Sequence, residues 1–118
     1  MGTPEVIDYL IIGHVSRDLT PQGPRLGGTV TFSALTARAL GLRTAIVTSA
    51  PDDQLPLLAP LQGIPMNRIP AGVPTTFENI YTPDGRIQTI SGRAAALTFN
   101  DIPIAWRQPR IVHLAPVA

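Results

Sequence analysis

We predict an α/β fold with parallel core strands from three observations on the sequence. Short, nearly continuous apolar runs occupy residues 6–15, 42–48 and 110–118, a pattern typical of parallel strands that are covered on both faces. A helix bounded by glycines is predicted between the first two runs, over residues 29–40. Two β-rich runs flank the turn Thr-Pro-Asp-Gly at residues 82–85, and such a turn predicts a β hairpin.

The first predicted strand is followed by a carboxylate, Asp18. In open α/β sheets, ligands bind just beyond the carboxyl ends of the strands, so Asp18 is a candidate binding residue. The competing interpretation is that Asp18 caps a turn before Thr20-Pro21. Residues 22–24, Gln-Gly-Pro, are expected to be a turn or a loose connection that leads to the predicted helix.

The glycine pair Gly27-Gly28 precedes the helix and allows positive φ and close approach of another group. Thr29 or Thr31 is predicted to cap the helix, and Gly41 to end it in a left-handed conformation. The pair lacks the three-glycine spacing of a dinucleotide fingerprint and the lysine of a P-loop. Either it lets a substrate approach closely, or it is a plain tight turn.

The central part of the chain predicts shorter elements. The aspartates at 52–53 are expected to cap a helix over residues 54–61, which its two prolines make short or irregular. Residues 64–69 predict an extended segment, and the proline there favours the edge of a sheet. Residues 94–97 are predicted to form a helical turn, and Trp106 to anchor the return to the core.

The predicted hairpin presents two mixed faces. Alternation places Phe77, Asn79 and Tyr81 on one face and Thr76, Glu78 and Ile80 on the other. Because neither face is wholly apolar, we expect the hairpin to be partly exposed or to cover a ligand or a second subunit. A hairpin that stands off the body of a protein is only marginally stable alone.

Composition excludes several classes of function. The 118 residues carry a net charge of +1, and their nine Arg form no basic run that would bind nucleic acid. No apolar run approaches the ~20 residues of a membrane span. The chain has no Cys, which excludes disulfides and fits a cytoplasmic location. No carboxylates or histidines have metal-ligand spacing, and His14 and His113 are expected to be core histidines.

Four segments taken in order resemble the N-terminal part of the ribokinase-like kinases, also called the phosphofructokinase B family. They are Gly13-His14-Val15-Ser16-Arg17-Asp18, Gly27-Gly28 with the helix that reaches Leu40-Gly41, the hairpin from Pro74 to Gly92, and Ile111-Val112-His113-Leu114-Ala115-Pro116. The resemblance spans nearly all of the chain and implies a three-layer α/β fold with a small β lid. It divides the chain into core segments 1–73 and 94–118 and a lid at 74–93.

The resemblance implies roles for individual residues. Asp18 matches the aspartate that binds substrate hydroxyls, and Gly27 and Gly28 match the glycines that shape the sugar site. The lid, with Phe77, Asn79 and Tyr81, would close over the substrate and pair with a second subunit. Ribokinase-type members carry an asparagine four residues beyond the second glycine, where this chain has Phe32. This departure predicts a bulkier, less polar or unusual substrate.

The resemblance also implies parts that the 118 residues do not contain. The Gly-Ala-Gly-Asp motif of the anion hole and catalytic aspartate is absent, so we predict no catalytic residue, no bound ATP or Mg²⁺ and no kinase activity for this chain alone. No helix follows the last predicted strand, so we expect the N-terminal fragment of an ATP-dependent sugar or nucleoside kinase. The alternatives are a non-catalytic small-molecule-binding or dimerisation module and half of a Rossmann-type domain, which the missing fingerprint disfavours.

Overall fold

The structure is a computed structural model that describes residues 6–117. The first five residues of the predicted segment 1–73 and the last residue of 94–118 lie outside the described part. The strands are β1 (Tyr9–Gly13), β2 (Ser16–Thr20), β3 (Gly23–Gly27), β4 (Thr44–Ser49), β5 (Met66–Ile69), β6 (Thr75–Thr82), β7 (Gly85–Gly92) and β8 (Ile111–Ala115). The helices are α1 (Thr29–Ala39) and three 3₁₀ segments, Asp52–Leu61, Phe99–Asp101 and Ile104–Trp106.

Four strands form a parallel core sheet in the order β5-β4-β1-β8. The three apolar runs contain the strands β1, β4 and β8, so the prediction of parallel strands is confirmed. The expectation that all three are covered on both faces was wrong for β8, which lies at an edge of the sheet and leaves Ile111, Val112 and Leu114 exposed. All six residues of β4 are buried, as its continuous apolar and β-branched sequence requires of a central strand. The extended segment predicted at residues 64–69 contains β5 and lies at the edge of the sheet, as its proline indicated.

Side chains that alternate along β1 and β4 pack on opposite faces of the core sheet. On one face, Ile11 and Ile46 pack against Val30 and Ala34 of α1, and all four are fully buried. On the other face, a smaller cluster contains Leu10 and Val47 with Ile102, and Trp106 packs against it. Trp106 therefore anchors the return of the chain to the core, as predicted. The apolar burial on both faces is the main stabilising force of this sheet.

A second, mixed sheet has the order β3-β2-β6-β7. β6 and β7 form the predicted hairpin, while β2 pairs in parallel with β6 and antiparallel with β3. Residues 16–27 are therefore half of this second sheet. Of the turn or loose connection expected at residues 22–24, Gln22 does lie in the turn between β2 and β3, but Gly23 and Pro24 begin β3 and form no loose connection to the helix. The local sequence of β2 is polar, and its strand conformation depends on pairing with β6, which lies more than 50 residues away.

The N-terminus of α1 differs from the prediction. Its N-cap is Gly28, with φ of 90°, and no side chain caps the helix. The hydroxyl of Thr31 donates instead to the carbonyl oxygen of Gly27, at 2.7 Å, in the preceding turn. Capping by Thr29 or Thr31 was therefore wrong. Gly41 has φ of 84°, so its predicted left-handed conformation after the helix is confirmed.

Two other local predictions need correction. The segment after β4 is an irregular 3₁₀ helix, as its prolines indicated, but its N-cap is Pro51 and the aspartates lie inside the first turn without capping it. Residues 94–97 form no helical turn. Their backbone is held across the molecule, since the amides of Ala94 and Ala95 donate to the hydroxyls of Thr75 and Ser49.

Candidate functional site

A cavity of about 190 Å³ lies between the second sheet and the core. The second sheet contributes Ser16, Asp18, Phe77 and Gln88. The core contributes Gly28 and Thr29 at the start of α1, and Pro116 and Val117 directly after β8. The cavity thus lies at the carboxyl end of the parallel sheet, where open α/β folds bind their ligands.

The carboxylate of Asp18 is held in this cavity by its neighbours on β2 and β3. Its Oδ1 accepts a hydrogen bond from the Ser16 hydroxyl at 2.6 Å. A Cβ atom on Gly27 would overlap with this carboxylate, so the glycine leaves the space that Asp18 occupies. An ionised carboxylate has about four acceptor sites, and one hydrogen bond leaves capacity for ligand hydroxyls. The group that comes close to Gly27 is therefore the carboxylate of Asp18.

Gly28 forms the junction between β3 and α1. Its positive φ favours glycine, and a Cβ atom there would lie 3.2 Å from the carbonyl oxygen of His14 and 3.3 Å from the Ser16 hydroxyl. Thr29, the first helical residue, lines the cavity beside it. The start of α1 carries partial positive charge from its free backbone N–H groups, which complements the carboxylate of Asp18 in the same cavity.

The hairpin contributes Phe77, Asn79 and Tyr81 on the face of the second sheet that also carries Asp18. Phe77 stands beside Asp18 in the sheet register and is 9% exposed. Asn79 lies two residues further along β6, on the same face, and its side-chain oxygen is buried without a hydrogen-bond partner. Tyr81 is on this face too, but it is 78% exposed, and it does not line the cavity.

Gln88 is a residue of the site that was not predicted from the sequence. It pairs directly with Asn79 across β6 and β7, so the two carboxamides share a face, and Gln88 lines the cavity with Asp18. The signal that reveals it is the two-residue turn at Pro83-Asp84, since such a turn defines the register of the hairpin. Counting outward from that turn pairs Gln88 with Asn79.

Phe32 does not join the other predicted binding residues. It is 62% exposed and lines a different cavity with Tyr9, Leu40 and Ile111, between α1 and β8. Helix geometry explains this placement, because residue 32 follows Val30 by about 200° around the helix axis, away from the stripe that packs on the sheet. The predicted grouping of Phe32 with Asp18 in one cavity is therefore not observed.

Among residues 6–117, no group of three or more His, Cys, Asp or Glu side chains is placed to hold a metal ion. Asp8 lies away from the cavity, at the amino end of β1. Hydrogen bonds from the side chain and backbone of Arg43 lower the pKa of Asp8, and the backbone bond measures 2.8 Å.

Within residues 6–117, no helix has the length and apolar character needed to cross a bilayer.

Comparison with known proteins identifies relatives over almost the whole chain. No protein-family model matches. Cytidine kinase of Thermococcus kodakarensis is 28% identical over an aligned region of 123 residues, and the alignment covers 95% of this chain and 44% of that kinase.

Solved structures agree with this relationship. A pyrophosphate-dependent kinase in the ribokinase family, in complex with sulfate, is 26% identical with a TM-score of 0.75, over 92% of this chain and 41% of that one. A structure of such a kinase with a pyrophosphate analogue and myo-inositol is 25% identical with a TM-score of 0.72, over 92% and 40% of the two chains. The chain thus spans less than half the length of these relatives. It is a homologue of ribokinase-family kinases, and its α/β fold matches their N-terminal portion.

Proposed function

We propose that this chain is the acceptor-binding, N-terminal part of a kinase that transfers a phosphoryl group to a hydroxyl of a sugar, cyclitol or nucleoside. The observation that carries the proposal is the carboxylate of Asp18, held over Gly27 in a cavity between the two sheets. The relatives support it, since one is a cytidine kinase and another is seen with myo-inositol. All these acceptors carry neighbouring hydroxyls, which a carboxylate binds by accepting two hydrogen bonds.

The residues of the cavity have distinct roles in this proposal. Asp18 orients the acceptor hydroxyls, while Gly27 and Gly28 leave room for the carboxylate and the acceptor. Phe77 contributes an apolar surface that packs against the ring of the acceptor. The second sheet acts as the lid and excludes water from the bound acceptor, which holds it in a reactive orientation.

The phosphoryl donor and Mg²⁺ are proposed to bind outside residues 6–117, and the catalytic base is proposed to lie there too. Residues 6–117 present no set of carboxylates and histidines for a metal. ATP is the donor that the resemblance implied, whereas the two structural relatives are pyrophosphate-dependent. Since phosphoryl transfer requires charge stabilisation around the phosphates, the 118-residue chain alone is expected to be inactive.

The test uses the protein expressed from its intact gene, with Mg²⁺ and either ATP or pyrophosphate. Acceptors are myo-inositol, D-ribose, cytidine and adenosine, and phosphorylated products are detected by ³¹P NMR. We expect turnover of at least one acceptor, and a loss of kcat/KM of about 10- to 100-fold for each acceptor hydrogen bond that Asp18→Asn weakens. The matched control is Asp53→Asn, an exposed aspartate outside the cavity, which should behave like wild type.

Two outcomes would contradict the proposal. Absence of turnover with every donor and acceptor would exclude the kinase, and equal activity of Asp18→Asn and Asp53→Asn would exclude the site. A non-catalytic binding module is the second candidate, since Ser16, Asp18 and Gln88 of these 118 residues already present polar groups to a ligand in the cavity. It predicts that myo-inositol or cytidine raises the melting temperature of the 118-residue chain without any phosphoryl donor.

Pairing of two lids in a homodimer belongs to the same proposal, as does a cytoplasmic location. Ile80 and Ile87 are direct cross-strand partners on the lid face opposite Asp18, and they are 48% and 55% exposed. An exposed apolar pair on a sheet is typical of a contact with another protein surface. In this proposal the lid contains residues 16–27 in addition to 74–93, and the core contains the remainder of 1–73 together with 94–118. Light scattering of wild type and Ile80→Glu tests the dimer, which the charged residue should dissociate.

A further inference from the structure

The chain crosses between the core sheet and the second sheet four times. The crossings lie between β1 and β2, between β3 and α1, between β5 and β6, and between β7 and the returning segment at 94–95. His14 occupies the first crossing. The angle between the sheets depends on how these four segments are held together, because the sheets share no strand.

The imidazole of His14 joins three of the crossings. Its Nε2 lies 2.7 Å from the carbonyl oxygen of Ala95, and its Nδ1 lies 2.8 Å from the hydroxyl of Thr75, the first residue of β6. The Thr75 hydroxyl oxygen also accepts a hydrogen bond from the backbone of Ala94 at 3.0 Å. A carbonyl oxygen only accepts, so Nε2 carries a hydrogen, and in the neutral ring Nδ1 then accepts from the Thr75 hydroxyl.

The remaining crossing packs against the same residue. A side chain on Gly28 would lie 3.2 Å from the carbonyl oxygen of His14, so the start of α1 is in close contact with the His14 backbone. Hydroxyls at the end of β4 hold the network to the core. Thr48 accepts from the amide of Val15 at 2.9 Å, and Ser49 accepts from the amide of Ala95 at 3.1 Å. Both hydroxyl residues are fully buried.

We propose that His14 is a positioning residue that holds the second sheet at one angle to the core and thereby maintains the shape of the cavity at Asp18. The cavity has Asp18 and Phe77 of the second sheet on one side and Val117 of the core on the other, so its width depends on that angle. His14 itself does not line this cavity and acts through Thr75 and the backbone at 94–95. The structural part of this inference is independent of the proposed function, and only its kinetic part rests on it.

The 118 residues contain no Cys, and any Cys that the intact gene encodes elsewhere is replaced by Ser, so two introduced cysteines can be spin-labelled specifically. Suitable exposed positions are Asp84, at the tip of the lid hairpin, and Gln62, at the end of the first 3₁₀ segment in the core. Pulsed EPR then measures the distance between the two sheets in the protein expressed from its intact gene. The variants are Thr75→Val, which removes the hydroxyl at nearly constant shape, and His14→Phe.

Two controls separate this role from general packing. Thr75→Ser retains the hydroxyl and should restore the wild-type distance distribution. His113→Phe removes the other histidine, whose Nδ1 contacts the Tyr9 hydroxyl within the core sheet, and it should leave the distribution unchanged. We expect one narrow distribution for wild type and both controls, and a broadened or shifted distribution for Thr75→Val and His14→Phe.

Kinetics with the preferred acceptor provide the second measurement. If only a tenth of the variant molecules keep the binding-competent angle, KM rises about tenfold while kcat is nearly retained. A Thr75→Val protein with the wild-type distance distribution and KM would overturn the inference, even if His14→Phe failed to fold. If wild type phosphorylates no acceptor, the proposed function fails, and the EPR comparison still decides the role of His14.

Discussion

Replacing Gly27 with alanine tests the geometry of the Asp18 site directly. A Cβ atom built on Gly27 would lie 2.6 Å from Cγ and 2.9 Å from Oδ1 of Asp18, far inside contact distance. The φ of Gly27 is not in the left-handed region, so alanine is compatible with the backbone there. The carboxylate of Asp18 must therefore move, and its 2.6 Å hydrogen bond from Ser16 is lost.

The size of the effect follows from two opposing terms. Loss of a hydrogen bond to a charged group costs about 1.5–3 kcal/mol, and the lower unfolded-state entropy of alanine returns about 0.4–1 kcal/mol. Gly27→Ala should lower the free energy of unfolding by about 0.5–2.6 kcal/mol, the difference of these two ranges. Displacement of Asp18 should also raise the KM for the acceptor by about 10- to 100-fold.

Gly72→Ala is the matched control. A Cβ atom there meets no other atom within 4 Å, and its φ is not left-handed, so the substitution should be neutral or stabilise by about 0.4–1 kcal/mol. Urea denaturation measures the free energy of unfolding of both variants, and acceptor titration measures KM. If Gly27→Ala is as stable as Gly72→Ala and its KM is that of wild type, the close packing of Asp18 on Gly27 is wrong.

Gly13→Ala would place a Cβ atom against the carbonyl oxygen of Ala115. This overpacking should lower the free energy of unfolding, measured by urea denaturation, by about 1–3 kcal/mol. An unchanged urea midpoint would contradict the contact. Asp8→Asn should destabilise the protein above the usual aspartate pKa only, because hydrogen bonds from Arg43 lower the pKa of the folded state. A lowered pKa stabilises the folded protein fully at pH values above the unfolded-state pKa, and this stabilisation is lost as pH falls through the folded-state pKa. Thermal unfolding at a series of pH values measures it. Asn79→Leu removes a buried oxygen without a partner among residues 6–117, so the melting temperature should be equal or higher. KM should rise about 3- to 10-fold, because Asn79 is the cross-strand neighbour of Gln88, which lines the cavity.

The Asp8→Asn and Asn79→Leu predictions have matched controls. The exposed Asp53→Asn retains the hydrogen bonds between Arg43 and Asp8, so it should keep the wild-type dependence of stability on pH. Thr89→Ala lies one residue from Gln88 on the opposite face of the lid, and it should leave KM unchanged. A lower melting temperature for Asn79→Leu, with KM as in wild type, would mean that Asn79 serves packing alone.

The elements with strong local signals were predicted correctly. Continuous apolar runs identified β1, β4 and β8, and for the central strands β1 and β4 the reason is burial on both faces, which favours apolar side chains at successive positions. The Pro-Asp-Gly turn identified β6 and β7, because its backbone conformation is set within a few residues. The edge position of Met66–Ile69 followed from a proline that cannot donate to a neighbouring strand.

The site itself was predicted only in part. Asp18, Gly28 and Phe77 do lie at one cavity, with Gly27 behind Asp18, but Gln88 was missed and Phe32 faces another cavity. The sequence around Gln88 carries no motif, so nothing local marks it as a site residue. The register across the hairpin places it at the cavity, opposite Asn79.

By itself, the sequence determined the parallel core, the glycine-bounded helix and the hairpin, since these follow from periodicity and from the backbone limits of glycine and proline. Only the tertiary structure decided that residues 16–27 leave the core, that Asp18 rests on Gly27, and that His14 joins three crossings of the chain. The reason is physical. Polar strands such as β2 gain their conformation from partners distant in sequence, and a histidine acquires a role from the donors and acceptors that folding places around it.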